Sequence, residues 1–467
     1  MVQRPTLLWF RDDLRLDDHP ALYEAAQTGR PLLCVFVLED DQTALPPLGG
    51  AARWWLHGAL SSLRHALEER GGTLLTLRGK AETLIPALAR ATQAASVHTH
   101  ARFHENERTQ EDRIAQALPD QVALHKYWGT VLLPPEAVAT KSGASYRVFT
   151  PFWKALQQHP IPTPLPIPRT LQFFALPDDV LSEHRFDEET LRPHHPDWAE
   201  GLRERWDTSL TAAHEQLDDF ITHDLAHYET DRNLMGQEGT SCLSPRLAWG
   251  QLSPRRVWHT VRQSGKSQPD TRCYLSELAW RDFARYTLYH TPDLPFRNLN
   301  QKFDRMPWRN DPKALRAWQE GRTGIPIVDA GMRELWHTGW MHNRARMIVG
   351  SFLTRHLLIH WREGEAWFRD TLIDADHASN SMNWQWVSGT GIDATPFFRI
   401  FNPTLQAEKF DPHGDYIRTW VPELRSLSGK ELREPWTAPS LFKTDYPAPI
   451  IDLKEGRARA LAFLKKT

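Results

Sequence analysis

Between Thr6 and about residue 133, short apolar runs alternate with amphipathic segments, and this alternation constrains the fold more than any other feature. "TLLWF", "PLLCVFVLE", "TLLTLRG", "SVHTHA" and "VALHKYWGTVLL" read as strands, whereas "AARWWLHGALSSLRHALEERG", "ETLIPALARATQ" and "NERTQEDRIAQAL" follow helical period. Strand and helix patterns taking turns predict βαβ units, hence a parallel sheet covered by helices. The segment contains neither G-x-G-x-x-G after a strand nor G-x-x-x-x-G-K-[ST], so the common backbone cradles for dinucleotides and triphosphates are missing.

The pattern then changes twice. "HPIPTPLPIP" places a proline at every second position from Pro160 to Pro168, which predicts an extended path. After Trp206 the strand-like runs disappear and segments such as "CYLSELAWRDFARYTLYH" follow helical period. The expected organisation is an α/β domain over 1–133, a Pro-rich linker over 134–205 and an all-α domain over 206–467. A length of 467 residues with 40% hydrophobic content suits two cores. Cys34, Cys242 and Cys273 are far apart and odd in number, giving neither a disulfide framework nor a four-thiolate metal site. Redox chemistry would need an organic cofactor. With 56 basic and 58 acidic residues, a nucleic-acid partner would need a local basic patch. No apolar run reaches about eighteen residues and the N-terminus lacks a signal-peptide pattern, so a soluble, cytoplasmic monomer without membrane contact is expected.

Five stretches of the helical part invite chemistry, and several have a plainer alternative. "EGTSCLSPRLAWGQLSP" opens with Thr240 and Ser241 before a helical run, which fits an N-cap or an anion site. In "SELAWRDF", Glu277 and Trp280 share a helix face, either lining a base-stacking pocket or placing an indole in the core with a carboxylate at its rim. In "GWMHNRARMIVGSFLTR", Asn343, Arg344, Arg346 and Met347 interrupt an apolar helix, and a buried guanidinium needs an anionic partner. "LIDADHASN" offers Asp374 and Asp376 as that partner, as half of a structural ion pair, or as a sparse metal site. Last comes "NSMNWQWVSGTG", where Trp384 and Trp386 flank one glutamine in a chain with 20 tryptophans.

"WFRDDLRLDDHPAL", "EGTSCLSPRLAWGQLSP", "YLSELAWRDF", "GWMHNRARM", "LIDADHASN", "NWQWVSGTGIDATPFFRIFNP" and "EKFDP" occur in order at compatible spacing. Together they resemble the photolyase/cryptochrome family, specifically bacterial class I cyclobutane pyrimidine dimer photolyases, over nearly the whole chain. The resemblance implies an N-terminal α/β domain, a linker and a helical domain holding a U-shaped FAD, active when fully reduced and anionic. It implies light-driven electron transfer to a dimer flipped out of UV-damaged DNA, ring splitting and return of the electron. By the same resemblance Trp280 and Trp386 wall the lesion pocket, with Glu277, Asn343 and Met347 touching the lesion and Arg344 beside it. Arg232, Arg281 and Arg399 match DNA contacts. Tyr228, Thr240, Ser241, Cys242, Leu243 and Ser244 match the FAD phosphate segment. Arg346 with Asp374 matches a salt bridge beside the isoalloxazine, Ala375 and Asp376 further ring contacts, and Asn380 the residue facing flavin N5. Trp384, Trp361 and Trp308 match a chain of tryptophans that photoreduces the oxidised flavin.

Two positions depart from the pattern. Cys242 replaces a residue that is often basic, leaving one phosphate contact to backbone groups or to a more distant arginine, and Met382-Asn383 replaces a usual Gly-Gly pair. A second, antenna chromophore (reduced folate, deazaflavin or flavin nucleotide) is left undecided, with Asn106 and Glu107 resembling a folate-contacting pair. The competing readings are a (6-4) photolyase, whose paired-histidine motif is replaced here by His342-Asn343, and a cryptochrome-like photoreceptor without repair. Side chains two apart in an extended strand share one side, so opposed roles for Trp384 and Trp386 lead us to expect a backbone turn between them.

Overall fold

The computed structural model describes residues 4–39, 45–392, 400–437 and 445–464. Five parallel strands, β1 (Thr6–Phe10), β2 (Leu32–Leu38), β3 (Leu74–Arg78), β4 (Ser96–His100) and β5 (Ala123–Tyr127), lie in the order β3-β2-β1-β4-β5. Helices α1 (Pro20–Gln27), α2 (Gly50–Glu68), α3 (Ala81–Ala91) and α4 (Glu105–Ala117) make the four connections. Strands β1, β2 and β4 are buried along their whole length; β1 and β2 are largely apolar, as suits a sheet covered on both faces, whereas β4 buries Ser96, His98, Thr99 and His100. β5 is mostly exposed and carries Lys126, a charge that discourages edge pairing. The strand order reverses between β1 and β4, and in open parallel sheets a crevice opens at such a switch point.

The segment after β5 crosses back over this domain in extended form. Leu32 donates its N–H to the Gln172 carbonyl at 2.7 Å, and Phe174 donates to the Leu32 carbonyl at 2.9 Å. One helix, Phe149–Leu156, precedes the proline run. From Glu200 onward the named elements are all helical among the described residues. None of the described helices is long and apolar enough to cross a membrane.

"LRLDD" fastens the two domains together. Arg15 is fully buried and donates to the carbonyls of Gly250 (2.9 Å) and Gly129 (2.7 Å), while Arg256 grips Asp17 through Nε (2.8 Å) and Nη2 (2.7 Å). Asp370 of the helical domain accepts the Gly50 N–H at 2.9 Å, capping α2, whose own N-cap Gly49 has no side chain to do so.

Two large apolar clusters and a small one around Phe303, Met306 and Leu358 fill the helical domain among the described residues. Of the large pair, one surrounds the Gln268–His290 helix; the other gathers the Pro326–Thr338, Asn343–Ser351 and Trp361–Thr371 helices. The His377–Ser388 helix gives Ala378 and Met382 to the first and Trp384 and Val387 to the second. It therefore separates the two cores, and the candidate site is built around it.

Candidate active site

The "NWQW" stretch is helical, which corrects the expectation of an extended segment with a turn. Asp376 caps the helix by accepting the Ser379 N–H at 2.7 Å, and Gly389, at φ 73°, ends it in the left-handed region. On a helix, residues two apart diverge by about 200°, so Trp384 and Trp386 face opposite ways without a turn. Asn380 and Trp384 are four apart and share a face. Trp384 is buried, in edge-to-face contact with Phe368 (5.0 Å, 73°) and Trp318 (6.2 Å, 71°), and Gly364 leaves the room its ring needs. Its Nε1–H has no hydrogen-bond partner among the described residues. Trp386 is half-buried. Between them Gln385 is fully buried, donating to the carbonyls of Leu294 (2.7 Å) and Arg297 (2.8 Å) and accepting from Leu299 N–H (2.9 Å). The glutamine pins a loop. Met382 and Asn383 continue the helix, Met382 into the first core and Asn383 outward.

Charge is arranged around the same helix. Arg346 forks onto Asp374 (Nη1–Oδ1 3.2 Å, Nη2–Oδ2 2.7 Å) and donates Nε to the Met341 carbonyl at 2.8 Å. Arg285 holds Asp376 at 2.9 Å. Burial opposes ionisation of Asp376, but Arg285 and Arg281 outweigh it and keep the carboxyl well below its ordinary range. Each carboxylate already has a guanidinium, which removes the metal-site reading of this pair. Asn380 Nδ2 donates to the Glu365 carbonyl and to Glu365 Oε1, both at 3.0 Å. Two acceptors on that side fix the amide, so its oxygen faces the other way.

Among the described residues one group converges as metal ligands do: Asp13, His19 and His100, all buried. His19 Nδ1 accepts the Leu22 N–H at 3.0 Å, so its neutral ring carries the proton on Nε2, 3.1 Å from Asp13 Oδ2. A protonated nitrogen cannot ligate a metal. The cluster reads as structural: His100 and His19 hold the Asp13 carboxyl well below its ordinary range against its burial, while burial pushes His100 down to about 3.

The "GTSCLS" segment corrects the capping expectation. Its helix, Ser244–Ala248, begins after Leu243 and has no side-chain cap. Cys242 lies at φ 48° and Leu243 at φ −79°, ψ −1°. Left-handed then right-handed residues in succession turn their N–H groups to one side, the geometry of an anion-binding nest; here the Leu243 N–H reaches Ser241 Oγ at 3.4 Å. The Thr240 and Ser241 hydroxyls stand beside it, Ser241 Oγ held by Tyr274 OH at 3.1 Å, and Tyr228 is buried nearby. A cavity of about 780 Å³ opens here, lined by Thr240, Ser241, Cys242, Trp340, His342 and Glu334. This donor set fits the flavin dinucleotide implied by the resemblance: backbone amides can take the phosphate where Cys242 replaces a base. Trp340 and Glu334 were not singled out in the sequence, and His342 was read only in its pairing with Asn343. Burial raises Glu334 to about 7, against hydrogen bonds from Tyr416 OH (2.5 Å) and His342 N–H (3.1 Å). From the ordinary carboxyl range up to pH 7 the folded protein holds a proton that the unfolded chain has released, so stability falls as pH rises. Glu334→Gln is expected to flatten that fall by roughly 3 kcal/mol at most, read from denaturant midpoints at a series of pH values. Parallel curves for variant and parent would contradict it.

On the Gln268–His290 helix, Trp280 is half-buried and stacks on Phe149 at 3.7 Å and 11°. Glu277 accepts from Arg232 Nη1 at 2.7 Å, and Arg344 binds the Asn233 carbonyl oxygen Oδ1 at 2.6 and 2.8 Å beside Met347. Asn343 is exposed at the start of its helix. Arg281, assigned to DNA by resemblance, is corrected: it donates to the carbonyls of Thr130 (2.8 Å) and Leu247 (3.0 Å), with burial pushing it down to about 9. Its donors face the domain interface. Arg399 lies outside the described residues. Trp361 is buried with Nε1–H on Asn298 Oδ1 at 2.8 Å, and Trp308 is half-buried.

At the switch point, a crevice is lined by Trp9, Glu39, Arg102, Glu107 and Gln110 from the sheet domain and Asp376 and His377 from the helical one. Trp9 Nε1–H is buried there with no partner among the described residues. Glu107 lines the crevice but is held by Arg102 at 2.7 Å, and Asn106 is exposed.

Residues 6–169 match the family model for DNA photolyase, and residues 274–466 that for the FAD binding domain of DNA photolyase. The deoxyribodipyrimidine photo-lyase of Agrobacterium fabrum is 44% identical, covering 99% of this chain and 98% of its own. A structure described as a bacterial class III photolyase from Agrobacterium tumefaciens superposes at TM-score 0.94 with 43% identity, covering 100% of this chain and 99% of its own. A Synechocystis cryptochrome superposes at 0.90 with 30% identity, covering 99% and 100%. The class III description differs from the class I placement expected from the motifs.

Proposed function

The chain belongs to the photolyase/cryptochrome family, and from that premise we infer that it is a deoxyribodipyrimidine photo-lyase, an FAD enzyme that uses light to reverse cyclobutane pyrimidine dimers in DNA. When bound, FAD supplies the photochemistry, lending the dimer an electron and taking it back once the ring has opened. The observation that carries the reading is one helix, His377–Ser388, with Asn380 and Trp384 on one face and Trp386 on the other.

The residues divide the work. The amides at Cys242 and Leu243, with Thr240, Ser241, Ser244 and Tyr228, hold the phosphates. Arg346, anchored by Asp374, supplies fixed positive charge beside an anionic ring, and Ala375 and Asp376 border it. Asn380, its Nδ2 engaged by Glu365, offers the ring edge an acceptor that stays neutral at all working pH. Trp280 and Trp386 wall the cavity for the flipped dimer, and Glu277, Asn343 and Met347 meet its polar edges. Extrusion costs a few kcal/mol and is cheapest where stacking is already damaged, so the lesion selects itself. Arg344 is assigned beside the lesion, and Arg232 and Arg399 to the DNA backbone. A second chromophore, a reduced folate, deazaflavin or flavin nucleotide, fits the switch-point crevice, where Trp9 Nε1–H awaits an acceptor.

Purified, reduced protein under blue light and without oxygen is expected to restore dimer-containing oligothymidylate to monomers. An unrepaired substrate under those conditions would overturn the proposal. Likeness to the cryptochrome over the full chain keeps a photoreceptor without repair as the alternative, and the same assay separates the two.

A further inference from the structure

Between Trp361 and Trp308 sits a residue that the motifs did not single out. The His360 imidazole lies 4.9 Å from the Trp308 ring at 62° and 5.6 Å from the Trp361 ring at 31°. Its position is fixed from both ends. His360 is the N-cap of the Trp361–Thr371 helix, with Nδ1 accepting the Arg362 N–H at 3.1 Å. The neighbouring Leu358 carbonyl accepts the Arg309 N–H at 2.7 Å, tying the Trp308 segment to the turn before the helix. Leu358 itself is at φ 57°, a left-handed conformation that brings the turn round. Trp361 is locked by its bond to Asn298. The cap also sets the tautomer: Nδ1 accepts, so the neutral ring carries its proton on Nε2. Burial and the Arg362 charge push His360 down to about 4, leaving an uncharged ring between the indoles.

We propose that His360 is a positioning residue for photoreduction, its ring bridging Trp361 and Trp308 so that an electron passes outward-to-inward between them. This rests on the reading of Trp384, Trp361 and Trp308 as an electron chain. The oxidised flavin, on excitation, is the electron acceptor and Trp384 the immediate donor; Trp361 refills Trp384, and Trp308 refills Trp361. Trp308, half-buried, then releases its indole N–H proton to water, and an added thiol returns the electron and proton. No carbon bond changes. A neutral bridge matters because a fixed positive charge here would oppose the positive hole on either indole.

The test uses FAD-loaded protein and four chains: parent, His360→Asn, His360→Phe and Trp361→Phe. Asparagine keeps a helix cap and removes the ring; phenylalanine keeps a ring and removes the cap. His360→Asn is expected to slow photoreduction in the presence of thiol by roughly tenfold, equivalent to about 1.4 kcal/mol on the barrier, and to lose the transient absorption of the Trp308 radical. His360→Phe should restore both. If His360→Asn matches the parent in rate and transient signal while Trp361→Phe is blocked, the bridge is wrong and the chain stands. A Trp361→Phe protein that photoreduces like the parent would remove the chain itself.

Discussion

Asp374→Ala is expected to release most of the bound FAD and to cost roughly 3 kcal/mol of stability, the lower end of the range for breaking a buried ion pair. Asp374 is almost wholly buried, and Arg346 is about three-quarters so. Without the carboxylate, Nη1 and Nη2 lose their acceptors, and only Nε remains bonded, to the Met341 carbonyl. The uncompensated charge would then pull the side chain toward water and away from the ring it is proposed to serve. Asp374→Asn retains one acceptor oxygen and should lose less of both properties. The flavin-to-protein absorbance ratio and the denaturant midpoint report the two effects separately. If Asp374→Ala keeps full flavin and an unchanged midpoint, the pair is neither an anchor nor a cofactor support.

What the sequence could and could not convey is clear in particular residues. The βαβ alternation was legible because strands of a buried parallel sheet tend to be apolar runs, as β1 and β2 largely are. Arg346 and its partner Asp374 were legible because a guanidinium in an apolar helix demands an anion. The turn expected in "NWQW" rested on strand periodicity, whereas the stretch is a helix that carries Gln385. Gln385 is fully buried, satisfied by Leu294, Arg297 and Leu299, about ninety residues away in sequence. Arg281 failed because its acceptors, Thr130 and Leu247, are distant backbone carbonyls that no local pattern announces. The capping expectation at Thr240 and Ser241 failed through a single backbone angle, the left-handed Cys242, which a non-glycine residue rarely adopts. The Asp376 cap and the Gly389 stop, by contrast, were both present as ordinary helix signals around the misread stretch.

Trp384→Phe and Trp386→Ala are expected to fail in opposite ways, and the separation follows from helix geometry. Trp384 packs on Phe368 and Trp318 within the second core, on the Asn380 side of the His377–Ser388 helix. Phenylalanine fills most of that space but is much harder to oxidise. Photoreduction should therefore fall by roughly hundredfold, equivalent to about 2.7 kcal/mol on the barrier, while chemically reduced protein still repairs dimers. Trp386 projects about 200° away and is half-buried, where it is proposed to stack on the flipped lesion. Removing an aromatic platform costs about 1 to 3 kcal/mol per stacked base, so Trp386→Ala should weaken binding of dimer-containing DNA by roughly tenfold or more. Its photoreduction should match the parent. The readouts are flavin bleaching under light with thiol and a binding titration in the dark. Loss of both properties in either variant would mean that the two faces are coupled, and the division of the helix into an electron side and a lesion side would fall.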